Sequence, residues 1–234
     1  MTTTSLKTIG MIGGMTWEST ASYYRIANET VRDRLGALHS ARILLASLDF
    51  QEISELQSAG RWADAAIILS RTAAELERAG AEVILICTNT MHLVFDEVQA
   101  AVQVPTLHIG DVTGQAIRAD GLKKVGLLGT AFTMEKAFYR DRIASHGVEV
   151  IVPEPLDRKT VHDAIFHELA LGICSEDTRN ELREIIATLV KEGAQGIILG
   201  CTELELLVSQ SDSPVPVFPT ARLHAEAAVE FALK

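Results

Sequence analysis

Two short segments of this chain, Cys87-Thr88-Asn89-Thr90 and Gly200-Cys201-Thr202-Glu203, place a thiol beside hydroxyl and other polar groups at the end of an aliphatic run. A thiolate is a competent base, so a cysteine held this way can act as a base near neutral pH. If a helix starts at the cysteine, the positive end of its dipole favours the thiolate and predicts a pKa below the usual value of about 8.5. The competing reading of each cysteine is a small buried apolar residue. The polar company and the recurrence of Cys-Thr weigh against it. Comparable small and hydroxyl-bearing groups occur at Gly13-Gly14-Met15-Thr16 and at Gly129-Thr130.

Such groups need elements to position them. Lys7 to Ile12, Arg42 to Leu48 and Glu82 to Cys87 are strand-sized apolar runs. Between them, Tyr23, Ile26, Ala27, Thr30 and Val31 recur at helical spacing, as do Trp62, Ala65, Ala66, Leu69, Ala73 and Leu76 before a Gly80 stop. This alternation predicts an α/β fold with parallel sheets covered by helices on both faces.

The pattern also repeats. Leu6 to Glu18 pairs with Leu122 to Glu135, Glu77 to Asn89 with Lys191 to Glu203, and Val104 to His108 with Val215 to Phe218, at offsets of 116, 114 and 111 residues. Three matches in order imply two copies of one unit. The expected organisation is two similar Rossmann-like domains, residues 1–108 and 109–220, with a last helix over 221–233 packing back on the first. Ligands bind at the carboxyl ends of parallel strands, so a site in a cleft between the two copies is expected.

Composition narrows the function. The 234 residues carry 21 basic and 31 acidic side chains, a net charge of −10, with no basic run, which argues against a nucleic-acid partner. Hydrophobic residues make up 47% and charged ones 22%, as in an ordinary globular protein. No apolar run approaches the roughly 18 residues of a membrane span, and the first residues lack the apolar core of a secretory signal. Three cysteines suit a reducing cytoplasm. Gly10 to Gly14 lacks the G-x-G-x-x-G spacing of a dinucleotide loop and reads as a tight turn. His162 and His167, at i and i+5, diverge around a helix and read as a solvated face rather than metal ligands. Cys174 reads as a spare thiol; no metal and no cofactor are expected.

Together, Ile9 to Ser19, Cys87-Thr-Asn-Thr-Met-His92 and Gly200-Cys-Thr-Glu203 resemble the aspartate/glutamate racemase family across essentially the whole chain. The resemblance implies a pyridoxal-independent amino-acid racemase of two α/β domains, usually a homodimer. In it one residue removes the α-proton and another returns a proton on the opposite face. The family pattern usually has Cys immediately before Asn, whereas Thr88 stands there in this chain and Cys87 lies one position earlier. The resemblance is therefore to the L-aspartate/L-glutamate-specific subgroup, with Cys201 as the competent base and Thr88, directly or through a water, on the other face. Cys87 remains an alternative base. Met15, Thr16, Asn89, Thr90, Thr130 and Thr202 are expected to bind substrate, with Lys159 and Gln51 toward its side-chain carboxylate. A preference for L substrates is expected. A broad-specificity racemase, a related cysteine-dependent decarboxylase or isomerase, and a silent amino-acid-binding protein stay open.

Overall fold

The computed structural model describes residues 6–234; the reading of a missing secretory signal rests largely on residues outside that range. The chain forms two compact units. One comprises the described residues up to His108 together with His224–Lys234, and the other comprises Ile109–Leu223.

The first unit runs β1 (Ile9–Gly13), α1 (Trp17–Leu35), β2 (Ile43–Ser47), α2 (Phe50–Ser58), α3 (Trp62–Arg78), β3 (Val83–Ile86), a 3₁₀ turn over Thr90–Val94, α4 (Phe95–Ala100) and β4 (Thr106–Leu107). The second runs α5 (Ile109–Ala119), β5 (Lys124–Gly129), α6 (Ala131–Glu135), α7 (Ala137–Ala144), β6 (Glu149–Ile151), α8 (Pro155–His167), α9 (Glu176–Lys191), β7 (Ile197–Gly200) and β8 (Val217–Pro219). The final helix α10 (Thr220–Ala232) begins in the second unit and continues in the first. Each unit thus contains a helix that comes after the other unit's last strand: α5 after β4, and most of α10 after β8.

Each unit has one four-stranded parallel sheet, ordered β2-β1-β3-β4 and β6-β5-β7-β8. The α/β parallel-sheet expectation from the sequence matches this architecture. Every residue of β1, β3 and β7 is buried, which is why these strands read as unbroken apolar runs. The first core gathers Ile12, Ile53, Leu69, Ile84, Ile86 and Met91; the second gathers Leu127, Leu128, Ile165, Leu182, Ile186 and Ile198. Each such aliphatic side chain contributes about 1.5–3 kcal/mol on burial.

In both sheets the chain order reverses about one pair of central strands, β1 beside β3 and β5 beside β7. Their register aligns Ile12 with Ile86 and Gly129 with Gly200, so the segments leaving the paired strands emerge side by side. These are the switch points at which open α/β sheets hold ligands.

Candidate active site

In the first unit, β1 ends in a turn whose tightness fixes its residue types. Gly14 has φ of +88°, and a Cβ there would lie 2.1 Å from the Leu48 carbonyl oxygen. Its N–H donates to Thr20 Oγ1 at 2.8 Å. Thr16 then caps α1 by accepting from the Ser19 N–H. Met15 and Thr16 are both buried. This is the tight turn read from the sequence.

The β3 ladder stops at Ile86, one residue short of the expected strand end. Cys87 still donates its N–H to Ile12 O at 2.9 Å, and the Thr88 N–H then turns back to Ile86 O at 2.8 Å. Cys87 is fully buried, and that burial pushes its thiol far above the ordinary cysteine range. Thr88 is half-buried, while Asn89 and Thr90 are buried at the start of the 3₁₀ turn. The same turn carries His92, whose Nδ1 donates to the Thr88 carbonyl at 2.8 Å. Around it lie His108 and His224, with ring centroids 4.8 and 5.6 Å away. His224 accepts from the Tyr23 hydroxyl at Nδ1, 3.0 Å, and donates from Nε2 to Leu107 O, 2.9 Å.

Burial, reinforced by His92, pushes His224 down to about 3. The neutral ring is therefore the folded form, whereas the unfolded chain takes up a proton near pH 6.5. Folding stability from this residue is fully present above pH 6.5 and is lost as pH falls toward 3, at up to about 1.4 kcal/mol per pH unit. Urea unfolding at pH 7, 5.5 and 4.5 checks this: the decline should be shallower in His224→Gln, which does not titrate.

In the second unit, Thr130 caps α6 at the end of β5 by accepting from the Thr133 N–H. His162 of α8 reaches the same turn, its Nδ1 accepting from the Ala131 N–H at 3.2 Å. It is half-buried, and burial lowers its pKa. The sequence reading of a solvated face is corrected here, because this ring closes a backbone donor at the helix start. Among the described residues no group of three or more His, Cys, Asp or Glu side chains could hold a metal ion. Cys174 is exposed and free.

Cys201 comes directly after β7 and is 8% exposed. Its Sγ–H donates to Glu203 Oε2 at 2.8 Å, and the Thr202 hydroxyl donates to the same oxygen at 2.9 Å. Thr202 and Glu203 are buried with it. Burial first, then the charge of Glu203 and of Glu205, pushes the Cys201 thiol well above its ordinary value. The expectation of a lowered pKa is therefore corrected. Cys201 leads into a five-residue 3₁₀ turn, Thr202–Leu206, rather than a long helix, and this turn brings two carboxylates in place of a strong helix dipole. Glu205 also accepts from the Ala221 N–H at 2.8 Å at the start of α10, and burial raises it to about 7.

The remaining predicted residues are at the surface. Lys159 is exposed on α8, ion-paired with Asp163. Gln51 is exposed in the first turn of α2, its amide donating to Glu55 at 2.8 Å. Glu203 lay inside a motif visible in the sequence, but its contact with the thiol did not. His224 gave no local signal, being 201 residues from its partner Tyr23.

Each unit thus presents, at its switch point, a Cys-Thr segment whose backbone leaves the sheet at once and turns its polar groups inward. In the second unit the thiol is hydrogen-bonded to a carboxylate that can accept its proton, an arrangement suited to proton transfer at carbon.

The family model described as Asp/Glu/Hydantoin racemase matches residues 12–228. A crystal structure from Yersinia pestis, of a protein assigned as an Asp/Glu racemase, is 52% identical, with a TM-score of 0.92 over 98% of this chain and 100% of that one. An aspartate racemase homologue from Pyrococcus horikoshii is 39% identical, with a TM-score of 0.86 and the same coverage. The broad specificity amino-acid racemase RacX of Bacillus subtilis is 29% identical over 160 residues, 67% of each chain.

Proposed function

The chain belongs to the Asp/Glu/hydantoin racemase family, and we propose that it is a cofactor-independent racemase interconverting L- and D-aspartate or glutamate by two-base proton transfer at Cα. The observation that carries this reading is the Cys201 thiol donating to the buried carboxylate of Glu203 at 2.8 Å. Glu203 takes the thiol proton and passes it to solvent before the next turnover, and the resulting thiolate takes the α-proton of the substrate. A thiol held at raised pKa gives a thiolate that is a stronger base, which suits a weakly acidic C–H.

The carbanion spreads its charge onto the substrate carboxylate, where fixed donors stabilise it. Asn89, Thr90, Thr130 and the Met15–Thr16 turn are the donors of this proposal, the Thr202 hydroxyl being given to Glu203. Thr88 returns a proton on the other face, directly or through a water, and regains it from solvent. Cys87 is held protonated by complete burial, which favours half-buried Thr88 for that role. The reading includes a homodimer working in the cytoplasm, where free thiols persist.

A broad-specificity racemase is the second reading. Lys159 is committed to Asp163 and Gln51 to Glu55, so neither is held toward a ligand carboxylate.

Proton NMR in deuterated buffer, with L- and D-aspartate, glutamate and several neutral amino acids and no added cofactor, tests the reading. The α-proton signal of the acidic amino acids should disappear, with a higher kcat from the L side. The ratio of kcat/KM values stays at the equilibrium constant of one, since no catalyst shifts it. Exchange confined to neutral amino acids would select the second reading, and binding without any exchange would overturn both.

A further inference from the structure

We propose that His92 is a positioning residue for the Thr88 face of the reaction, fixing the Thr88 backbone through its Nδ1–H and anchored by a buried histidine cluster. The proposal rests on the racemase reading above, and its test separates the two.

Thr88 lies beyond the last ladder residue of β3, where the sheet no longer dictates its geometry. Two hydrogen bonds replace the ladder: its N–H to Ile86 O at 2.8 Å, and its carbonyl accepting from His92 Nδ1 at 2.8 Å. A carbonyl only accepts, so the proton of His92 is on Nδ1. The His92 N–H closes the turn onto Asn89 O at 3.1 Å, so both the backbone and the ring of one residue hold the Thr88-Asn89 segment.

The ring itself cannot swing. Phe95 stacks on it at 6.0 Å with 10° between planes, and His108 and His224 pack at 4.8 and 5.6 Å. His224 is fixed in turn, since its Nε2 must donate to Leu107 O and its Nδ1 must accept from the Tyr23 hydroxyl. The cluster joins the end of β3, the end of β4, α1 and α10 through groups of defined tautomer. Placement of a reacting group to within a few tenths of an ångström is what such a supporting shell supplies.

The test tracks exchange and inversion separately. After Cys201 removes the α-proton and its thiol exchanges with the deuterated solvent, the carbanion either takes a deuteron back from Cys201, giving exchange with retention, or is captured on the Thr88 face, giving inversion. In His92→Gln, whose amide nitrogen reaches the Nε2 position instead, and in His92→Leu, inversion should fall at least tenfold. Exchange with retention should stay within about twofold. His92→Asn, whose amide nitrogen takes the place of Nδ1, should restore most of the inversion. Equal loss of exchange and inversion, no loss of either, or an Asn variant no better than Gln would overturn the positioning role. If the unaltered protein gives no α-proton exchange with any amino acid, the racemase reading fails instead, whatever the His92 variants do.

Discussion

Replacing Cys201 by alanine should lower racemisation by about 10³-fold or more, and α-proton exchange with it. A positioned acid–base group contributes about 10²–10⁴ in rate, and Cys201 is, among the described residues, the thiol held against a carboxylate acceptor, at 2.8 Å. The fold should survive. Glu203 keeps a second donor, the Thr202 hydroxyl at 2.9 Å, so its buried carboxylate is not stripped of partners. Cys201→Ser separates chemistry from hydrogen bonding, because a serine hydroxyl can still donate to Glu203 but is a far poorer base. Chiral chromatography of aspartate and glutamate incubations, beside thermal melts, gives both numbers. A loss smaller than tenfold with intact folding would remove Cys201 from the reaction.

The second large effect concerns stability. Gly14→Ala should cost about 3 kcal/mol or more, because two penalties coincide. The residue has φ of +88°, and the new Cβ would stand 2.1 Å from Leu48 O and 2.5 Å from Leu48 N. Those are backbone atoms of the segment leaving β2, whose N–H is bonded to Gly13 O at 3.0 Å, so they cannot move without breaking the end of the sheet. A comparison isolates the clash. Gly172 also has positive φ, +74°, with ψ of 14°, but a Cβ there meets nothing within 4 Å, so Gly172→Ala should show only the left-handed backbone penalty of about 1–2 kcal/mol. For a chain of this size the Gly14 variant should melt roughly 6–12 °C lower. Equal melting temperatures for the two variants would show that the turn relaxes.

The architecture was legible because its signals are local or repeated. Strands buried on both faces leave unbroken runs such as Val83–Ile86, and helices covering them leave stripes such as Ala65, Leu69 and Ala73. The Cys-Thr segments were visible through their recurrence after equivalent strands. Their surroundings were not. The proton affinity of Cys201 depends on its burial and on where the Glu203 carboxylate turns, which adjacency in sequence does not specify. The role of His162 depends on α8 meeting the first residue of α6, and that of His224 on a helix meeting a partner at the opposite end of the chain. Lys159 shows the converse: the family resemblance placed it toward a ligand, while one turn later on α8 Asp163 offers it a surface partner.

The exchange of α5 and α10 sets an order for biosynthesis. The strands of the first unit leave the ribosome before those of the second, yet part of its core stays uncovered until α10 follows β8. Ala225, Ala228 and Val229 of α10 are fully buried, and Ala232 O accepts the Lys7 N–H at 3.0 Å. At about 5–20 residues per second, the interval between His108 and His224 is roughly 6–23 s. The second unit, holding α5 before its own strands are made, can close during that time. The unit whose strands are made earlier is thus completed later, and a nascent chain spends that interval with the apolar patch that α10 covers open for chaperones to shield.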